Sequence, residues 1–272
     1  MDASRLFDLE AHGADTFVGI GPRYPWGGLY GGQIVAQALR AAAATVDTDL
    51  EVHSLRAYFI RRGDHTEPIR FEVDRIRNGR SFSTRRVIAR QAVGAILNLE
   101  ASFQRPEDSF DLQAIAMDTT VPGPESLTSE PFTSSADRRF VPRSWTPDSA
   151  NVGAGRTLAW MKVSAPLCYD QLLHRCWLAY LSDDLPTDST RAATKIDDNG
   201  IFAASLDHSI WFHRPVRADE WHLHDFTCHT FVGGRGLAIG HVFAADGVHV
   251  ATVAQEVLMR GRRDEQTGSH VP

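Results

Sequence analysis

Apolar positions along this chain change period twice, and the same succession occurs in both halves. Between residues 33 and 46, Ile34, Val35, Ala38, Leu39, Ala42 and Ala43 recur at helical spacing and predict a slim amphipathic helix. Four strand-like segments follow at 54–59, 69–77, 81–90 and 95–104. Asn78–Gly79 predicts a tight hairpin between the second and third. Over 171–181 the helical spacing returns in Leu172, Leu173, Cys176, Trp177, Tyr180 and Leu181. Four more strand-like segments come next, at 205–213, 221–231, 236–244 and 248–259, with Asp246–Gly247 marking the last hairpin. A helical turn at 4–10 and a strand at 16–20 precede the first helix, and a strand at 157–163 precedes the second.

Between these copies the text changes. Residues 106–150 hold six of the 13 prolines, mixed with Ser, Thr and Asp, and predict a long linker wrapping the surface. The expected organisation is one unit over 1–105, the linker over 106–150, and a second unit over 151–265. His53–Ser54 matches His208–Ser209, Gly79–Arg80 matches Gly234–Arg235, and Arg105 matches Arg260. The separation is constant (208 − 53, 234 − 79 and 260 − 105 all give 155), which predicts a repeat without gaps across the four strands. Residues 182–200 read as a longer helix-to-strand connection in the second copy. The fold class is therefore α+β, two copies of a central helix wrapped by a curved antiparallel sheet.

Composition narrows the function. The 272 residues carry a net charge of −6, which does not favour nucleic acid as a partner. No apolar run approaches the roughly 18 residues of a membrane span. The opening MDASRLFDLEAHG lacks the basic and apolar segments of a signal peptide. Three cysteines (Cys168, Cys176, Cys228) without metal-ligand spacing read as buried thiols in a reducing compartment, so the cytoplasm is the expected location. The histidines His12, His222, His224, His229 and His241 show no ligand spacing with acidic partners, and no metal is expected.

Eight segments resemble one family: GGQIVAQAL (31–39), VHSLRAYF (52–59), RNGRSFSTRRV (77–87), ASFQ (101–104), LAYLSD (178–183), SLDHSIWFHRP (205–215), RGLAIG (235–240) and AQEVLMR (254–260). Together they resemble the acyl-CoA thioesterase II (TesB-type) double hot-dog enzymes. That resemblance implies a double hot dog that hydrolyses acyl-CoA to free fatty acid and CoA without a cofactor, as a homodimer. It also implies a site in which an Asp, a Ser or Thr, and a Gln hold the attacking water. The matching positions are Asp183 of the S-D motif, Ser205 two residues before D-H-S, and Gln255 of Q-E. One departure is SDDLPTDSTRAATKIDDNG (182–200), more polar than the hydrophobic continuation the family leads one to expect. It bears on acyl-chain preference.

Thioester hydrolysis needs an activated water and a place for an oxyanion. A carboxylate at Asp183 can take the proton, while the Ser205 hydroxyl and Gln255 amide orient the water. Gly31 and Gly32 open the first helix, where backbone N–H groups can meet the oxyanion. On that reading Gly32→Val lowers turnover more than stability. Arg75, Arg77, Arg80, Arg85, Arg86 and Arg90 crowd one sheet; they are either an exposed face paired with acids or a seat for the CoA phosphates, with Arg77 and Arg80 as candidate substrate contacts. Taken singly, Asp183 is an ordinary helix-end carboxylate, Ser205 a strand hydroxyl and Gln255 a surface amide. Asp207 and His208 invite an acid–base dyad, as in a hot-dog enoyl-CoA hydratase. Strand alternation, however, places Ser205, Asp207 and Ser209 on one face and His208 on the other. His53 and His208 then read as a structural hydrogen-bonding pair between the halves. A non-catalytic acyl-CoA-binding protein is the remaining alternative.

Overall fold

The computed structural model describes residues 5–145, 155–194 and 201–261. Ser4, the ends of the linker (146–150) and of the polar stretch (195–200), and residues 151–154 and 262–265 lie outside them. The first copy comprises β1 (Glu10–Ala11), β2 (Thr16–Gly19), α1 (Gly31–Ala43), β3 (Glu51–Phe59), β4 (Ile69–Asn78), β5 (Phe82–Gln91) and β6 (Gly94–Gln104). Within the proline-rich stretch lies β7 (Ala136–Phe140), a strand that its composition did not advertise. The second copy comprises β8 (Arg156–Val163), α2 (Gln171–Ser182), α3 (Leu185–Thr194), β9 (Ile201–Ser205), β10 (Asp207–Phe212), β11 (His222–Val232), β12 (Arg235–Ala244) and β13 (His249–Gly261). Cys176 is buried, but Cys168 is exposed and Cys228 half-buried, which corrects the expectation of three buried thiols.

The strands form one antiparallel sheet in the order β1-β2-β4-β5-β6-β3-β10-β13-β12-β11-β8-β7, with β9 pairing to β13 beside that path. Its two halves are mirror orders fused at β3–β10, the architecture of a double hot dog. Register breaks fix the true correspondence. The break between Arg75 and Arg77 recurs between Cys228 and Thr230, and that between Ala89 and Arg90 recurs between Val242 and Phe243. Arg56 pairs with Ser209, its own counterpart, as a twofold axis through the seam requires. The offset is therefore 153 (228 − 75, 242 − 89, 209 − 56), rising to 154 in β6 and β13. The expected offset of 155 matched identities at turns and bulges, and it paired His53 with His208. In the structure the counterpart of His53 is Leu206.

Helix α1 is buried nearly all round, including Gln33 and Gln37, both fully inaccessible. Buried amides need partners, and these have them. Tyr24 Oη–H donates to Gln33 Oε1 at 2.8 Å, Gln33 Nε2 to Gln37 Oε1 at 3.2 Å, and Gln37 Nε2 to the carbonyls of Leu6 and Ile20, both at 2.8 Å. The amides tie the N-terminal segment across the helix. Helix α2 starts at Asp170, whose side chain accepts from the Leu172 and Leu173 N–H groups, and packs along α1.

Helix α3 replaces the expected loop. Its buried face is Leu185, Pro186, Ser189, Thr190 and Ala192, too polar to show an apolar stripe. The hydroxyls of Ser189 and Thr190 both bond the Pro186 carbonyl at 3.0 Å, so they enter the core already satisfied. Pro186 sits in the first turn, where its missing N–H costs nothing.

Candidate active site

The C-terminal end of α2 meets the N-terminal end of α1. Asp183 caps α2 and is 6% exposed. Tyr30 Oη–H donates to the Tyr180 carbonyl at 2.8 Å, holding the two helix ends together. The approach leaves no room for side chains on α1. A Cβ on Gly31 would lie 2.5 Å from Asp183 Oδ2, and one on Gly32 would lie 2.3 Å from the Tyr180 carbonyl oxygen. The Gly32 N–H donates to the Asp183 carboxylate. The anion thus occupies the positive end of α1, which has no side-chain cap of its own.

This geometry reverses the expectation for Gly32→Val, because the clash is with backbone. Even Gly32→Ala should destabilise the fold by about 1–3 kcal/mol. Thermal unfolding checks this, and an unchanged Tm would show that the two helix ends can separate.

A bulge brings in the other side chains. Ser205 pairs with Val257, but Ser209 pairs with Ala254, so β9 and β10 hold one more residue than the strand opposite. Leu206 donates its N–H to the Glu256 carbonyl at 2.9 Å and accepts from the Phe59 N–H at 3.0 Å. Asp207 turns away, its Oδ1 taking the Glu256 N–H at 2.7 Å. Strict alternation therefore fails here, and Ser205 and His208 both face inward beside Gln255. Ser205 Oγ–H donates to Asp183 Oδ1 at 3.2 Å, and Gln255 Nε2 donates to Ser205 Oγ at 2.7 Å. The Gln255 amide also donates to Asp183. The structure brings Asp183, Ser205, Gln255, Gly31 and Gly32 into one cluster.

His208 Nδ1 lies 2.5 Å from Gln255 Oε1, and its Nε2 lies 3.0 Å from Ser182 Oγ. The expected bond between the halves is absent at both histidines, since His53 Nε2 instead meets Ser102 Oγ at 2.8 Å within the first copy. Burial pushes the imidazolium of His208 down to about 4, so the ring is neutral at physiological pH. Burial pushes Asp183 up to about 6, against the lowering effect of its three donors. The adjacent Asp184 is raised to about 7 by burial despite Arg138, whose Nη1 lies 2.6 Å from its Oδ2.

The arginines divide. Arg75 pairs with Asp15, Arg86 with Asp74 and Arg90 with Glu72, while Arg85 is buried against the Thr45 hydroxyl and carbonyl. Arg77 and Arg80 are exposed at the hairpin between β4 and β5. That hairpin is at the far end of the sheet from Phe59, which borders Gly31. The separation along the strands is about 17 Å at the level of Arg77 and about 26 Å at Phe82, where the hairpin closes. The structure does not bring these two arginines to the cluster.

The first copy has no equivalent cluster. Its counterparts of Ser205, His208 and Gln255 are Val52, Leu55 and Ala101, all buried and apolar.

Comparison with known proteins agrees with this architecture. The family description "Acyl-CoA thioesterase N-terminal domain" matches residues 21–104, and "Acyl-CoA thioesterase C-terminal domain" matches 111–259. "Acyl-CoA thioesterase 2" of Haemophilus influenzae is 36% identical over 252 residues, covering 85% of this chain and 87% of that protein. The chain belongs to the acyl-CoA thioesterase family. Within it, the TesB-type acyl-CoA thioesterase II branch is shown by the solved structure of TesB2 from Mycobacterium marinum. That structure has a TM-score of 0.87 at 36% identity and covers 98% of this chain and 100% of its own. A hot-dog-fold protein from Alicyclobacillus acidocaldarius superposes with a TM-score of 0.80 at 20% identity, covering 97% of this chain and all of its own, which supports the fold alone. This thioesterase hydrolyses acyl-CoA. Among its described residues, no helix is long and apolar enough to cross a membrane.

Proposed function

We propose that hydrolysis runs through a water held by Ser205 and Gln255 and deprotonated by Asp183. The observation that supports this reading most is a buried carboxylate, poised near pH 6, that shares hydrogen bonds with one hydroxyl and one amide. A base with that affinity is ionised at neutral pH yet still accepts a proton in the transition state. Asp183 takes a proton from the water, and the new hydroxide bonds to the thioester carbonyl carbon. The carbonyl oxygen becomes an anion facing the N–H groups of the first turn of α1. Collapse breaks the carbon–sulfur bond, and the proton on Asp183 passes to the departing sulfur. Fatty acid and CoA leave, and Asp183 is again a carboxylate.

Hydratase chemistry through Asp207 and His208 is not favoured. Both nitrogens of His208 are engaged by Ser182 and Gln255, and Asp207 is turned to the Glu256 N–H.

The test is thiol release from acyl-CoAs of acetyl to palmitoyl length, followed from about pH 4 to about pH 9. Activity should rise with pH as Asp183 loses its proton, with an acid-limb midpoint in kcat/KM near pH 6. His208, held near 4, is already neutral across that limb. A midpoint near the ordinary carboxylate value would remove the buried base from the mechanism.

A further inference from the structure

His208 takes no proton in the reaction above, yet it is wholly buried and both its ring nitrogens are engaged. Two complete hydrogen-bond patterns fit the positions of its neighbours. In the first, Ser182 Oγ–H donates to His208 Nε2, and His208 Nδ1–H donates to Gln255 Oε1. Gln255 Nε2 then donates to Ser205 Oγ, and Ser205 Oγ–H to Asp183 Oδ1. Every donor in that chain runs toward the carboxylate. In the second, the Gln255 amide is turned over and the chain runs backwards: Ser205 donates to Gln255, Gln255 to His208 Nδ1, and His208 Nε2–H to Ser182. Ser182 then gives its hydrogen to the Ala179 carbonyl, 3.1 Å away. The second pattern still gives Ser182, His208, Gln255 and Ser205 a partner each, but it takes both side-chain donors from Asp183 and turns a carbonyl oxygen toward it. The tautomer of His208 and the orientation of Gln255 are thus one variable.

We propose that His208 is a positioning residue whose Nδ1–H holds the Gln255 amide with its N–H groups facing Asp183 and the attacking water. The inference rests on the reading of Asp183, Ser205 and Gln255 given above. The first copy supports it, since Leu55 and Ala101 stand where His208 and Gln255 stand, so of the two copies the one that holds the carboxylate carries histidine and glutamine at these positions. Other groups around Asp183 do not supply this control. Tyr30 stays protonated through burial, Asp184 is tied to Arg138, and the Gly32 N–H is fixed by the helix.

Two measurements test it. In wild-type protein labelled with 15N in its histidine rings, the His208 signal at about pH 8, assigned by difference from His208→Asn, should be that of a neutral ring protonated on Nδ1. A ring protonated on Nε2, or charged, overturns the proposal without reference to any variant's stability. In kinetics, His208→Leu should lower kcat by about 10²-fold, with KM changed less than about twofold. Its acid limb should move up by about one pH unit as Asp183 loses donors. His208→Asn keeps an N–H near the Nδ1 position and should return the limb to its wild-type place. Equal losses in both variants with an unmoved limb would make His208 a packing residue and sink the idea. Should Asp183→Asn stay active, the base assignment fails instead, and the tautomer result stands apart from it.

Discussion

Asp183→Asn should lower acyl-CoA hydrolysis by about 10²- to 10⁴-fold, the range for loss of a positioned general base. The substitution keeps shape and a hydrogen-bond acceptor for Gly32 N–H but cannot take a proton. Ser205 and Gln255 still hold a water, so binding of acyl-CoA should persist while turnover falls. Stability should move the other way. The carboxyl of Asp183 is raised from its ordinary 3.8 to about 6, so its ionised form is disfavoured by the folded state. Folding stability is therefore lost as pH rises from about 4 to about 6, and the loss, on the order of 3 kcal/mol, is complete above that window. An asparagine has no such loss. The variant's Tm at about pH 8 should match or exceed that of wild type, and its advantage should shrink toward pH 4. A variant that is inactive but also unfolded would leave catalysis and folding confounded. An active, folded one removes Asp183 from the chemistry.

Arg138→Leu should cost about 3–5 kcal/mol at neutral pH, the largest stability loss expected here from a single change. Arg138 lies on β7 and meets Asp184 with side-chain exposures of 15% and 12%. Its guanidinium also lies over the Phe132 and Phe140 rings, 5.2 and 4.4 Å from their centres. Without it the Asp184 carboxyl loses its cationic partner, and the fold must either bury an uncompensated charge or hold a proton that the unfolded chain releases. The cost arises mainly from that unpaired carboxyl rather than from the lost attraction. Two consequences separate the causes. Arg138→Leu combined with Asp184→Leu should recover most of the stability. The deficit of the single variant should also be smaller at about pH 5 than at about pH 8. Asp184, already raised to about 7, takes up a proton as pH falls and ceases to be a charge. Calorimetry at the two pH values decides, and a single variant as stable as wild type at pH 8 would show that the pair contributes nothing.

How much of this was legible in the text follows the physics of each element. Both central helices and most strands could be read from apolar period, whereas Asp183, Ser205 and Gln255 were singled out only through motifs that resemble the family's; the structure brings the three together, and their catalytic role is the proposal made above. Helix α3 could not, since its buried face mixes Leu185, Pro186 and Ala192 with Ser189 and Thr190, whose hydroxyls are satisfied by the helix's own backbone. His208 was assigned to the wrong face because alternation assumes an unbroken ladder, and one extra residue at Leu206 reverses it. The repeat was visible, but its register was not. Identities at 155 fell on turns, whereas inward-facing positions recur at 153 and 154. Arg138 and Asp184 are 46 positions apart, and nothing local announces that pair.

The apolar trio Val52, Leu55 and Ala101 has a consequence for how such a molecule can change over generations. Two identical subunits must place the same residues on both sides of their axis, so every polar group needed for chemistry is buried twice. Burying such groups costs stability at each occurrence. Once the two copies are covalently joined, that obligation ends. One lineage of positions can accumulate hydroxyl, imidazole and amide groups, while the other reverts to valine, leucine and alanine and holds the shared seam rigid. In this thioesterase the two copies differ in polarity at all three of those positions, and the apolar copy still places the start of its helix against the carboxylate of the other.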